Sequence, residues 1–250
     1  MDNVLNKVLD PVHIGFTIDK DLECSLKSCE KRNAGEKVGV IGKKDGKYSI
    51  IEYSELSDQI RNEKEEDGKT LKYRQGHICV FVCSAPFLLE QAAASLDDMS
   101  ALYHRAFKKI AHADPTTWEP VVATKENGWK FELFLHDILP SIESGKLGLL
   151  VVDRKTEFAP VKNADTAAED TPTIARTMLM AECGEWLRNV KGTASSFGNL
   201  EISSLLSYEG EGLEALVEAH DLGSGVGGYI DHEGRLQRVE RERACCCTIF

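Results

Sequence analysis

The side chains that could do chemistry lie scattered along the chain instead of forming a recognisable constellation. Of eight cysteines, four fall in two internal pairs, Cys24-x4-Cys29 and Cys79-x3-Cys83, and neither spacing is the C-x-x-C that suits tetrahedral zinc. Seven histidines stand singly, with no H-E-x-x-H and no H-x-x-x-H, so each reads as a structural or surface residue before it reads as a ligand. No G-x-S-x-G nucleophile elbow occurs. Gly223, Gly225 and Gly228 spell G-x-G-x-x-G, the pattern that lets a pyrophosphate approach a helix N-terminus. Here it follows the helical Leu213–Leu222 and precedes the turn-like Tyr229–Gly234, so the βαβ frame is missing and a flexible loop is expected. Hydrolase, redox and thiolate-metal readings find no support, and what remains is a soluble α/β chain with dispersed lysines and carboxylates.

Charge narrows the partners. Thirty Lys and Arg against 41 Asp and Glu give a net charge of −11, a surface that repels a polyphosphate backbone, so no nucleic acid partner is expected. The apolar run Leu147–Val152 is six residues long, against the roughly 20 needed to cross a bilayer. The opening Met1-Asp2-Asn3-Val4-Leu5 has neither a basic nor an apolar leader region, which makes a cytoplasmic location with reduced thiols the default. The tail qualifies this. Cys247-Thr248-Ile249-Phe250 fits a C-a-a-X box of the geranylgeranyl type, with Cys245 and Cys246 as palmitoylation sites and Arg235, Arg238, Arg241 and Arg243 upstream, although Glu240 and Glu242 dilute the basic patch. A membrane partner is thus expected only if Cys247 is prenylated.

The elements that must position these groups can be read from periodicity and turn chemistry. Val38–Ile41 and Tyr48–Tyr53 flank Lys43-Lys44-Asp45-Gly46, and Asp-Gly between β-branched or aromatic runs predicts a hairpin. The charge run Glu63–Lys69 reads as a solvated loop or helix end. Pro86–Ala111, rich in Leu, Ala, Glu and Lys, predicts one or two helices after the apolar stretch Ile78–Val82. Leu147–Val152 predicts a buried strand. A helix capped by Asp170, with Pro172 in its first turn and Gly192 as terminator, carries the stripe Ala175, Leu179, Cys183, Trp186, Leu187, Val190, one face of a 3.6-residue period.

Longer motifs add a resemblance. Asp2-Asn3-Val4-Leu5 with Asp10–Phe16 is similar to a V-D-N-x-L…D-P-x-F-I-G segment, and Glu30-Lys31, Val38-Gly39-Val40, Asp45-Gly46 and Glu52-Tyr53-Ser54-Glu55 follow an E-K…V-G-V…D-G…E-Y-S-E order. Asn127–Lys130 through Phe134 and Asp137-Ile138, then Glu157–Asp165 with its F-x-P-x-K-N-A-D pattern, Thr171–Arg176, and Glu201-Ile202 through Ser207–Glu214 continue in the same order. Together these resemble the later portion of eukaryotic UDP-N-acetylglucosamine pyrophosphorylases, without the N-terminal half that carries that family's glycine-rich loop. The resemblance implies an α/β fold: the second half of a Rossmann-like, GT-A-like nucleotidyltransferase mixed sheet with a small C-terminal β-rich appendage. It further implies residues 1–195 as a partial catalytic domain, 196–236 as the β-rich region and 237–250 as a disordered Arg/Cys-rich tail.

The activity implied is attack of a sugar-phosphate oxygen on the α-phosphorus of UTP, giving UDP-N-acetylglucosamine and pyrophosphate, with Mg²⁺ and lysines screening two polyanions. By the same resemblance Asp2 is the metal-site aspartate, Lys130 meets the nucleotide phosphates, Lys162 meets the sugar phosphate, and Glu52 with Tyr53 reads the N-acetylhexosamine. Taken alone, Glu52 and Tyr53 are two faces of an ordinary strand, Lys130 and Lys162 are surface lysines, and Asp2 is a frayed second residue. Two positions depart from the family: His77 stands where it has a sugar-contacting asparagine, and His136 where an aromatic residue lines the site, although Phe134 is retained. An imidazole donates and accepts from different ring positions than an amide, so the hydrogen bonding to sugar changes. Two other readings stay open at this stage: a non-catalytic interaction or regulatory remnant of the same fold, tethered through Cys247, and a broader UDP-sugar pyrophosphorylase.

Overall fold

A computed structural model describes residues 2–95, 103–192, 197, 199–223 and 226–238. Cys245, Cys246, Cys247 and the rest of the 239–250 tail lie outside the described residues. The elements run β1 (Asp2–Asn3), α1 (Pro11–Asp19), β2 (Cys24–Glu30), β3 (Val40–Lys44), β4 (Lys47–Ile51), α2 (Asp58–Arg61), β5 (Gln75–Cys83), α3 (Ala85–Ser95), β6 (His104–Lys108), β7 (His112–Ala113), β8 (Pro120–Val121) and β9 (Gly128–Glu132). A 3₁₀ helix (Leu135–Ser141) follows, then β10 (Leu147–Val151), α4 (Arg154–Glu157), β11 (Pro160–Val161), α5 (Pro172–Lys191), β12 (Leu200–Ile202), α6 (Glu214–Ala219), β13 (Gly228–Ile230) and β14 (Leu236–Arg238). By contacts the chain divides into two units, residues 1–10 with 151–250, and residues 11–150. Among the described residues no helix is long and apolar enough to cross a membrane.

The second unit, 11–150, is built on a five-stranded sheet of order β10-β2-β5-β3-β4, in which β2–β5, β5–β3 and β3–β4 pair antiparallel. The β3–β4 hairpin closes where Asp-Gly predicts it: Lys44 pairs Lys47, and Asp45 and Gly46 both adopt positive φ, 53° and 79°. Two left-handed residues in a two-residue loop match the twist of the flanking strands. Cys24, Leu26, Ile50, Phe87, Leu139 and Ile142 form the core beneath this sheet. His13 on α1 is buried too, its Nε2 2.8 Å from the Ser25 hydroxyl, so this histidine is structural.

The β2–β5 ladder carries a bulge. Leu26 pairs Phe81 and Ser28 pairs His77, so one residue of β2 faces three of β5 there, and Cys79 takes φ 62°. Bulges of this kind bend a strand and re-aim its side chains. The same ladder places Cys24 opposite Cys83 with both thiols free and Sγ atoms 2.7 Å apart, a pairing across 59 residues that neither linear spacing suggests.

Three expectations need correction in this unit. Ala85–Ser95 is helical, but His104–Lys108, inside the stretch expected to be helix, is strand β6, paired antiparallel with β9. Its cross-strand contacts, Phe107 on Trp129 with ring centroids 5.0 Å apart and Tyr103 edge-on to Phe131, outweigh local helix propensity. Leu147–Val151 is a strand, but it is an edge strand in which only Gly148 is buried. A Cβ at Gly148 would force the Leu22 and Phe16 side chains to move, since it would lie 2.8 Å from the Phe16 ring and closer still to Leu22 Cδ1. Finally, β4 ends at Ile51, so Glu52 and Tyr53 sit in the turn beyond it and not on an ordinary strand.

The first unit packs around α5. Its stripe is buried as predicted: Cys183 and Leu187 join Leu200, Ile202, Leu213, Leu216, Leu222 and Ile230, with Leu179, Trp186 and Val190 half-buried around them. The cap is Thr171, whose hydroxyl accepts from Ile174 N, not Asp170, which takes φ 55° one residue earlier. Gly192 terminates the helix at φ 98°. A mixed three-stranded sheet, β12 parallel to β13 and β13 antiparallel to β14, completes this core. Tyr229 and Ile230 are thus strand where the sequence suggests a turn, and Gly228 serves close strand approach, because a Cβ on it would meet the Gln237 carbonyl oxygen at 2.3 Å. Gly223 bridges Phe197, and Gly225 lies outside the described residues.

Candidate functional site

The second unit gathers the imidazole and aromatic groups. β5 delivers His77 into the interior, 4 % exposed, where its ring meets Phe81 edge-on at 5.0 Å and His136 at 5.8 Å. His136 stacks on Phe134 at 4.8 Å with an interplanar angle of 13°. Phe134 in turn lies 4.6 Å from His104, whose Nε2 is 3.0 Å from both carboxylate oxygens of Asp137. Neither ring nitrogen of His77 meets a protein partner among the described residues.

Burial, and then the neighbouring His136, push the His77 pKa down to about 3, so it is neutral at physiological pH. His136 is also lowered, by burial first and by His104, with the carboxylates of Asp137 and Glu55 pulling the other way. A neutral imidazole offers one donor and one acceptor.

Glu52 lies beside Gly39, the residue that bonds the backbone of His77. The Gly39 carbonyl accepts from His77 N at 2.8 Å, and a Cβ on Gly39 would meet Glu52 Oε1 at 3.4 Å and the Ile50 side chain at 3.0 Å. The absence of a side chain on Gly39 therefore leaves room for the Glu52 carboxylate beside it. Tyr53 is exposed. Lys130 lies on the exposed β6–β9 ribbon, opposite Ala106, with Nζ 2.6 Å from Glu132, the residue that pairs with His104.

Asp2 and Lys162 belong to the first unit. β1 pairs antiparallel with β11, setting Asp2 opposite Val161 and Asn3 opposite Pro160, so the backbone of Asp2 lies one residue from Lys162. The pairing is clamped by Asn3, whose side chain donates to the Glu157 carbonyl at 2.8 Å and accepts from Ala159 N at 2.8 Å. Lys162 takes its place in a loop closed by its own N–H on the Asp170 carbonyl, 2.8 Å, with Nζ 3.7 Å from the Asp170 carboxylate and 5.8 Å from the Phe158 ring.

Among the described residues no group of three or more His, Cys, Asp and Glu could cage a metal ion. A hard cation held through one carboxylate and substrate phosphates is what this donor set fits, in the manner common for Mg²⁺.

Linear motifs do not reveal His104, Asp137, Phe81 or Glu55 as neighbours of these rings. The His104–Asp137 pair joins β6 to the 3₁₀ helix 33 residues later, and His77 meets Phe81 across the bulge in β5, neither of which is marked in residue spacing.

The sequence profile of the UTP–glucose-1-phosphate uridylyltransferase family matches residues 1–182. Among curated relatives, UDP-N-acetylglucosamine pyrophosphorylase of Saccharomyces cerevisiae is 37 % identical over 215 residues, 85 % of this chain and 44 % of the yeast protein. UDP-N-acetylhexosamine pyrophosphorylase-like protein 1 of Xenopus tropicalis is 35 % identical over 242 residues, 90 % of this chain and 46 % of its own length. The fold is similar to the crystal structure of the uridine diphosphate N-acetylglucosamine pyrophosphorylase from Trypanosoma brucei, with a TM-score of 0.69 at 32 % identity over 87 % of this chain and 44 % of that one. The chain thus spans about half the length of the relatives it matches. With more than half of its residues matched by one profile, the chain belongs to the UTP–glucose-1-phosphate uridylyltransferase family.

Proposed function

We propose that this chain contributes to a uridylyltransferase site that joins UTP and N-acetylglucosamine 1-phosphate, releasing pyrophosphate. The observation that carries the reading is the placement of the Glu52 carboxylate beside Gly39, whose carbonyl accepts from His77 N, together with the meeting of His77 and His136, which stacks on Phe134. The resemblance read in the sequence implies these same positions for reading the sugar. A small patch of polar groups against aromatic faces is the usual make-up of a sugar-sized site.

Glu52 accepts hydrogen bonds from sugar hydroxyls, Tyr53 flanks it, and His77 offers its two ring nitrogens to the N-acetylhexosamine, with His136 stacked on Phe134 as the apolar wall. Lys130 holds the nucleotide phosphates and Lys162 the sugar phosphate, each as a compact positive charge. Asp2 would hold Mg²⁺, and a divalent cation there would supply screening of the phosphate charge. The protein's part is to bring two polyanions into line and shield their repulsion.

The test is pyrophosphate release from UTP and N-acetylglucosamine 1-phosphate by the purified 250-residue chain, together with calorimetric binding of UDP-N-acetylglucosamine. Lys162→Ala is expected to weaken binding by about tenfold, or roughly 1.4 kcal/mol, and to abolish any turnover. Absence of both turnover and saturable UDP-sugar binding overturns the reading. His77 favours one refinement, because imidazole replaces the family's amide. In competition between hexose and N-acetylhexosamine 1-phosphates, the native chain should prefer the N-acetyl group less strongly than the His77→Asn variant does.

A further inference from the structure

A second candidate site lies in the second unit, in a cavity of about 400 Å³ between the loop that follows β2 and the loop before β5. Its lining shares no residue with the sugar and phosphate positions named above. Five cationic side chains line it, Lys31, Arg32, Lys64, Lys69 and Arg74, with Glu30 as the one carboxylate. In a protein of net charge −11, such a lining runs against the average surface.

The cations divide by what neutralises them. Arg32 is paired with Glu36 at 3.2 Å, and Arg74 with Glu30 at 3.2 Å and Glu65 at 2.9 Å. Lys31, Lys64 and Lys69 make no ion pair within 4 Å among the described residues. Lys31 is 8 % exposed, and its ammonium makes one long hydrogen bond, 3.4 Å, to the Ala34 carbonyl. A buried ammonium has three donors to satisfy and is costly to leave short of partners. Its pKa is lowered by burial first and by Arg61, against the pull of Glu36, as fits a cation lacking a close counter-charge.

Three of the four acidic members of the run 63–69 are engaged elsewhere, and the fourth, the exposed Glu66, makes no ion pair within 4 Å among the described residues. Glu63 pairs with Lys72 and Glu65 with Arg74, and Asp67 spends its carboxylate on the Lys69 and Thr70 amides, 2.8 Å each. The Lys64–Leu71 bridge and the Glu65 N–H on the Thr70 carbonyl, 2.9 Å, brace the loop so that Lys64 and Lys69 border the cavity.

We infer that this cavity binds a small phosphorylated ligand, its phosphoryl oxygens taken by the Lys31, Lys64 and Lys69 ammoniums, with Arg32 and Arg74 held in place by their glutamates at the rim. The volume admits a phosphate ester or diphosphate of metabolite size. A nucleic acid is disfavoured, because long-range repulsion from the acidic remainder grows with the length of a polyanion.

Calorimetry with inorganic pyrophosphate tests the inference, using the full chain in a Lys130→Ala/Lys162→Ala background so that the proposed uridylyltransferase site does not contribute. Saturable binding is expected, weakened about tenfold by adding Lys64→Ala/Lys69→Ala and weakened again between about 50 mM and about 300 mM salt. Both lysines are exposed, so this pair leaves folding intact, whereas Lys31→Met serves only as a second variant checked by circular dichroism. No saturable binding, binding unchanged by Lys64→Ala/Lys69→Ala, or tighter binding of a single-stranded RNA oligomer than of pyrophosphate each overturns it. Because the background lacks both proposed substrate lysines, its outcome is separate from that of UDP-sugar binding.

Discussion

Around α5 the first unit buries Leu187, Leu200, Leu213 and Ile230 against one another, whereas the second unit buries His77 with two ring nitrogens that meet no protein partner among the described residues. The first arrangement gains free energy from every carbon removed from water. The second gives some of it up, because an unsatisfied buried polar atom costs about 1–3 kcal/mol. A fold keeps such a group where it serves something other than stability. The contrast separates a core closed by apolar contacts from a region that encloses an imidazole without a protein partner among the described residues, the group that the proposed function assigns to the sugar.

The contrast breaks most sharply at Leu187, which is 0 % exposed. Leu187→Ala is expected to lower stability by about 2–5 kcal/mol, read from urea unfolding; a loss below about 1 kcal/mol would mean that the α5 core is loosely packed. His77 should behave oppositely. Its folded pKa, about 3, lies below the ordinary histidine value, so as pH falls from about 6.5 toward 3 the unfolded chain takes up a proton that the folded chain refuses. Stability therefore drops with a slope approaching roughly 1.4 kcal/mol per pH unit, and is unaffected by this group above about pH 7. His77→Leu should remove that slope and, at about pH 5, be about 1–2 kcal/mol more stable than the native chain, while losing UDP-sugar binding. A variant as acid-sensitive as the native chain would dissociate His77 from the effect. The smallest expected change is at the Thr171 cap: Thr171→Ala should cost about 1 kcal/mol, and Asp170→Ala, one residue outside the cap hydrogen bond, should not reproduce that loss of helix stability.

Much of the first region is legible in the sequence alone. Helical periodicity from Ala175 to Val190 is a local signal, and so is Asp45-Gly46 in the second unit, since both depend on residues a few positions apart. The cap falls one residue later than expected because Asp170 and Thr171 are both able caps, and only the φ of 55° at Asp170 decides between them. His104–Lys108 departs from its helical composition for a different reason. Its partner strand β9 begins at Gly128, and Phe107 against Trp129 is a long-range contact that composition does not display. The site divides in the same way. Glu52, Tyr53, Lys130 and Lys162 are legible as members of motifs, whereas the meeting of His77 with His136 depends on a bulge at Cys79 and on the register of β2 against β5.

The three tryptophans fall unequally on the two units. Trp118 and Trp129, in the second unit, are 79 % and 59 % exposed, while Trp186 on α5 is half-buried with its indole N–H donating to Glu182 at 3.1 Å. Indole emission shifts to longer wavelength in water and is quenched by collision with soluble iodide. Unlabelled protein thus carries its own optical gauge, in which the iodide-resistant blue component tracks opening of the helical core and the quenchable red component tracks the aromatic ribbon that displays Lys130.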